Sequence, residues 1–170
     1  MRPTSNPLDF ALQGQGFFAV TTPAGKAYTR NGSFRISTTG SLVTPEGYTV
    51  TILDAKGQPA QINPAVPFEV DTGGNITQSG QAVGQFATFN FAPGDLVKQG
   101  NTLFRPADPN ATPQASTAEV RQGAVENSNV GSSESAVRLV SVMRQFEMLQ
   151  KAINIGAEMN KKALDEVAKI

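Results

Sequence analysis

Near residue 128 the chain changes character, and no single regular pattern accommodates both of its parts. Before that point it is broken by turn residues every few positions, among them Pro23-Ala24-Gly25, Asn31-Gly32, Thr39-Gly40, Pro45-Glu46-Gly47, Lys56-Gly57, Gly73-Gly74 and Pro93-Gly94. No proline follows Pro113, and the only later glycines are Gly123, Gly131 and Gly156. The first part cannot sustain long helices, and the last part has nothing to interrupt one.

Between the turns lie short apolar or alternating runs: Phe17 to Val20, Ser33 to Ile36, Tyr48 to Leu53, Phe68 to Val70 and Gln85 to Phe91. Strand-length runs separated by Gly and Pro turns predict an antiparallel β-rich domain over residues 1–128. Phe86, Phe89 and Phe91 add aromatic strand formers. Pro64, Pro67, Pro106, Pro109 and Pro113 mark loops or sheet edges, because proline cannot serve a central ladder. The Asn31-Gly32 pair reads as a hairpin turn.

Residues 129–170 predict a long C-terminal α-helix of coiled-coil type. Leu139, Val142, Phe146, Leu149, Ile153, Gly156, Asn160, Ala163, Val167 and Ile170 step by three and four as a heptad seam, weakened at Gly156 and Asn160. A second stripe of Val140, Met143, Met148, Ala152, Ile155 and Met159 widens the apolar surface. Gly131 or Ser132 can cap the helix, and Glu134 falls in its first turn near the positive end. A helix from Ser132 to Ile170 would run roughly 58 Å. A domain of about 130 residues should be only about 30 Å across. The helix should therefore overhang its own domain, and its seam should need a partner. Leu139, Val142, Phe146, Leu149, Ile153 and Val167 are the candidate assembly residues.

Composition narrows the function. The chain has neither Cys nor His, which removes thiolate sites, the commonest metal ligand and the commonest general base near neutral pH. Lys plus Arg equals Asp plus Glu at 14 each, so the chain offers no broad electrostatic grip on nucleic acid. Low net charge also gives little repulsion against self-association. The opening MRPTSNPLDF lacks the apolar run of a cleavable secretory signal. Gly14-Gln15-Gly16 precedes a strand-like run rather than a helix and reads as a turn or bulge, not a nucleotide loop. Asp9, Asp54, Asp71, Asp95 and Asp108 lie mostly in or beside turns, with no spacing that pairs them for hydrolysis. Lys161-Lys162, with Asp165 and Glu166 nearby, reads as a solvated face with local ion pairs. No catalytic, cofactor-binding or metal-binding residue emerges, and no small-molecule substrate is implied. A carboxylate-based hydrolase and a secreted adhesin with a coiled coil are the rival readings.

Three segments together resemble the flagellar basal-body rod and hook proteins. They are Asn6-Pro7-Leu8-Asp9 through Phe17-Phe18, then Tyr28 to Phe34 with Gly40 to Thr44 and Gly47-Tyr48, then Gly123 to Val130 leading into the helix. Arg144-Gln145-Phe146-Glu147-Met148 is similar to the proximal-rod branch more than to the distal one. The resemblance implies a structural subunit with itself, other rod subunits and the flagellar export apparatus as partners. Its place would be the periplasm-spanning rod, reached without a cleavable signal. Family members carry an N-terminal helix ahead of the Pro-Leu-Asp motif, and it pairs with the C-terminal one in the inner wall of a tube. Met1 stands only a few residues before that motif here, so the chain is expected to be a shortened form whose seam lacks that partner.

Overall fold

The computed structural model describes residues 1–100, 102–108, 111–127 and 132–167, and within the helix the side chains of 135–162 and 164. The chain divides into two compact units, Met1–Asn127 and Ser128–Ile170. The first is built from antiparallel strands and the second from one helix.

The early strands are β1 (Arg2–Pro3), β2 (Phe10–Gln13), β3 (Phe17–Thr22), β4 (Gly25–Thr29), β5 (Arg35–Ile36) and β6 (Leu42–Val43). The middle of the unit holds β7 (Thr49–Val50), β8 (Ile52–Leu53), β9 (Phe68–Val70), β10 (Asn75–Gln78), β11 (Gln81–Phe86) and β12 (Thr88–Asn90). It closes with β13 (Leu96–Gln99), β14 (Leu103–Pro106), β15 (Gln114–Ala115), β16 (Glu119–Gln122) and β17 (Ala124–Val125). The larger sheet runs β13-β14-β4-β3-β7-β6-β5, with β12 and β15 joined through β3. The smaller runs β8-β11-β10-β9, and two short ladders join β1 to β17 and β2 to β16.

Two of the expected runs are each split, for one shared reason. Tyr48 to Leu53 breaks at Thr51, and Gln85 to Phe91 breaks at Ala87. At both points the chain passes from one sheet to the other, since β7 and β12 pair with β3 while β8 and β11 pair with each other. Three backbone bonds close this crossing: the Ala19 N–H donates to the Ala87 carbonyl at 2.9 Å, Thr51 to Ala19 at 2.9 Å, and Ala87 to Thr51 at 3.0 Å. Strands that switch sheets at a corner keep their backbone paired on both sides of the bend. The residues nearest the crossing, Ala19 and Ala87, are small and buried.

The core is rich in phenylalanine. Phe10, Phe18, Phe34, Phe68 and Phe86 pack with Leu12, Val20, Leu42, Ile52, Ile62, Ile76 and Val120. Phe10 and Phe86 meet edge to face at 5.0 Å, and Phe18 meets Phe34 and Phe86 at 5.3 and 5.4 Å. Such pairings add about 0.5–1.5 kcal/mol beyond area burial. A second cluster gathers Tyr28, Phe17, Phe89, Phe91 and Phe104 on Ala19 and Ala87. Among the described residues, every buried side-chain nitrogen and oxygen has a hydrogen-bond partner.

One turn assignment is corrected. Asn31-Gly32 does not close a hairpin, because β4 pairs with β3 and β14 while β5 pairs with β6. Asn31 instead bends the chain locally, its side-chain oxygen accepting from the Ser33 N–H at 3.1 Å. Gly32 is required for close approach: a Cβ there would overlap the carbonyl of Phe10, whose N–H donates back to the Gly32 carbonyl at 2.9 Å. The tight hairpin of that type lies at Ser79-Gly80, joining β10 and β11 with φ of 49° and 77°.

Candidate assembly surface

The helix α1 spans Ser132–Val167, 36 residues, or about 54 Å. The Gly131 cap, and the side chains of Ser132 and Glu134 proposed for its first turn, lie outside the described residues, as do the side chains of Lys162's expected partners Asp165 and Glu166. No helix of the described residues is long and apolar enough to cross a membrane.

Leu139, Val142, Phe146, Leu149 and Ile153 are all solvent-exposed, at 55–69%. Val167 stands on the last turn of the helix, but its side chain lies outside the described residues. The second stripe is equally open at Val140, Met143, Met148, Ile155 and Met159. At 100° per residue, the apolar side chains between Phe146 and Leu164 cover an arc of roughly 180°. Arg144, Glu147, Lys151, Glu158, Lys161 and Lys162 occupy roughly 100° on the opposite side. From Phe146 onward the two stripes read from the sequence are thus one broad face, whereas Val140 and Met143, earlier in the helix, fall at angles that the charged residues share. A two-stranded coiled coil needs only the narrower a/d seam. An arc this wide can be covered only by more than one neighbouring element.

Two open apolar grooves of about 350 and 480 Å³ are lined by Leu8, Ile36, Val66 and Phe68 and by Phe17, Phe91, Leu96 and Phe104. Neither is lined by a carboxylate. Among the described residues no cluster of His, Cys, Asp and Glu could hold a metal ion. The aspartates do local work. The Asp54 carboxylate accepts from the N–H groups of Lys56 and Gln58, both at 2.8 Å. Asp71 accepts from the side chain and backbone of Asn75, which holds its carboxyl below the ordinary range.

One polar site escaped sequence reasoning. The Arg30 guanidinium pairs with both carboxylate oxygens of Glu126, at 2.8 and 3.1 Å. It also donates to the carbonyls of Gly14 and Gly16, each at 2.8 Å, and of Leu12 at 3.3 Å. The only sequence signal was that Arg30 and Glu126 fall inside two of the three resembling segments.

The chain thus holds a β-rich unit and a terminal helix whose large apolar side chains are exposed. Residues 11–84 match the family model described as the flagellar hook protein FlgE/F/G D1 domain. Residues 121–166 match that of the flagellar basal body rod FlgEFG protein C-terminal. The flagellar basal-body rod protein FlgF of Mesorhizobium japonicum is 41% identical over 147 residues, covering 85% of this chain and 60% of that protein. FlgF of Caulobacter vibrioides is 32% identical over 100% of this chain and 69% of its own length. The rod protein FlgG of Bacillus subtilis is 32% identical over 92% of this chain and 64% of its length. The chain belongs to the flagellar basal-body rod protein family. It spans about 60% of the length of the Mesorhizobium relative.

Proposed function

We propose that this chain is a structural subunit of the flagellar basal-body rod, of the proximal FlgF type, and that it is not an enzyme. The observation that carries the reading is the uncovered apolar face of α1 on a chain whose relatives are named as rod proteins. Each Leu, Ile or Phe buried on assembly contributes about 1.5–3 kcal/mol. Six such side chains, Leu139, Phe146, Leu149, Ile153, Ile155 and Leu164, are exposed on the helix and supply a large driving force, from which the cost of ordering the subunit is subtracted. The breadth of the face suits a helix packed among several others in a closed layer, with its charged stripe left to water. Repeated head-to-tail contacts that do not close into a ring build a helical tube. In this reading the partners are copies of the chain and other rod subunits, and the flagellar export apparatus delivers it. Residues 1–128 act as the rod domain and 129–170 as the assembly helix, with Leu139, Val142, Phe146, Leu149, Ile153 and Val167 as its seam.

The test is Phe146→Asp introduced into the gene in its own bacterium. Purified basal bodies should lack the variant subunit and swimming should be lost, while the variant protein keeps the thermal midpoint of its β unit. Rods that still contain the variant would overturn the assignment of the seam.

A further inference from the structure

The three sequence segments that carry the family resemblance, far apart in the chain, meet at one side chain. Leu12, Gly14 and Gly16 belong to the first, Arg30 to the second and Glu126 to the third. We infer that Arg30 and Glu126 form a clasp that closes the β unit, tethering its final residues to the turn between β2 and β3.

The surroundings show why a clasp is needed there. The ladders at the end of the unit are short: β17 pairs with β1 over two residues, and β16 with β2 over four, with the Gln122 side chain donating to the Pro7 carbonyl at 2.9 Å and accepting from the Val70 N–H at 3.0 Å. Beyond them the Thr4 N–H donates to the Gly123 carbonyl at 2.8 Å, and the Gly123 N–H to the Asp9 carbonyl at 2.7 Å. Two-stranded pairs of this length have little stability of their own. Ala124 and Val125 are only half-buried, so packing cannot substitute. A forked guanidinium–carboxylate pair supplies direction as well as attraction. The carbonyls of Leu12, Gly14 and Gly16 hold that guanidinium in place as well. A flexible surface pair would contribute little, and this one is preorganised. Glycine at 16 lets the same turn pack against Ser116, since a Cβ there would overlap the Ser116 hydroxyl. Ser116 in turn donates to the Gln15 carbonyl at 2.7 Å, fixing the turn from its far side.

The clasp lies wholly within Met1–Asn127, so it stands or falls separately from the rod reading. Amide hydrogen exchange, followed by NMR on the full chain, tests it. In Glu126→Gln, the Thr4 and Gly123 amides should exchange roughly two- to fivefold faster, while the Phe86 amide in the smaller sheet is unchanged. In the unmodified protein, 1 M NaCl should accelerate the same two amides and not Phe86. Arg30→Gln should reproduce the acceleration and in addition shift the Gly14 and Gly16 resonances, which Glu126→Gln leaves in place. Unchanged Thr4 and Gly123 exchange in Glu126→Gln would overturn the proposal. So would equal acceleration of Phe86, which would mean general loss of stability. Glu126 is part-exposed and removes no core when substituted, so that variant remains informative even if Arg30→Gln does not fold.

Discussion

Gly32 shows what a residue can conceal. Followed by Ser33 and preceded by Asn31, it has the composition of a hairpin turn, and composition alone gives no means to tell a turn from a close contact. Its real constraint comes from Phe10, 22 positions earlier and fully buried, whose carbonyl occupies the space a side chain would need. Neither the backbone of β2 nor its core ring can retreat, because Phe10 packs on Phe34, Phe68 and Phe86 together. Gly32→Ala should therefore destabilise the β unit by about 1–3 kcal/mol, the usual cost of forcing extra volume into packed structure. Urea unfolding would show it as a lower midpoint at unchanged slope. A midpoint equal to that of the unmodified protein would mean the strand gives way more readily than its packing implies. Arg30 is illegible in the sequence for a related reason. Its partner is 96 residues away, and no periodicity connects them.

At the scale of elements, strand content was readable because glycine and proline turns leave little else possible between them. Phe68 to Val70 is the strand β9 as expected, and Pro23-Ala24-Gly25 does join β3 to β4. Pairing order was not readable. The passage of the chain between sheets at Thr51 and Ala87 depends on backbone bonds to Ala19, and each of those runs looks continuous in sequence. The Ser79-Gly80 hairpin was also missed, since serine is a weak signal for positive φ. That mismatch can be exploited. Ser79 adopts φ of 49° without the local tolerance that asparagine has for this region. Ser79→Asn should raise stability by about 0.5 kcal/mol, because it favours the turn without touching the core. The check is again the urea midpoint, and a fall would show that the Ser79 side chain contributes something the turn geometry does not require.

For the whole molecule the decisive contrast is between a unit that buries its own apolar residues and one that does not. Phe10, Phe18, Leu12, Leu42, Ile62 and Ile76 are sealed within Met1–Asn127, whereas every large apolar side chain described on α1 is exposed or nearly so. The helical period was plain in the sequence, since an uninterrupted repeat needs no tertiary information to be seen. In the reading proposed above, that repeat is covered only in the assembled rod. Without cover, a helix rests on intrinsic propensity and local side-chain pairs, whereas most helical stability in proteins comes from packing of an apolar face. Gly156 lowers it further, by about 1 kcal/mol relative to alanine. Two consequences follow for the purified chain. Residues 1–127 on their own should fold with the same thermal midpoint as the full chain, because no core residue is lost. The helical signal of the full chain by circular dichroism should rise with concentration across a dilution series, as seams from different copies cover one another. A helix signal that is full and constant down to the lowest concentration, in a chain shown to be monomeric, would mean that the apolar face is tolerated in water. The reading of α1 as an assembly element would then lose its physical basis, even though the family membership would stand.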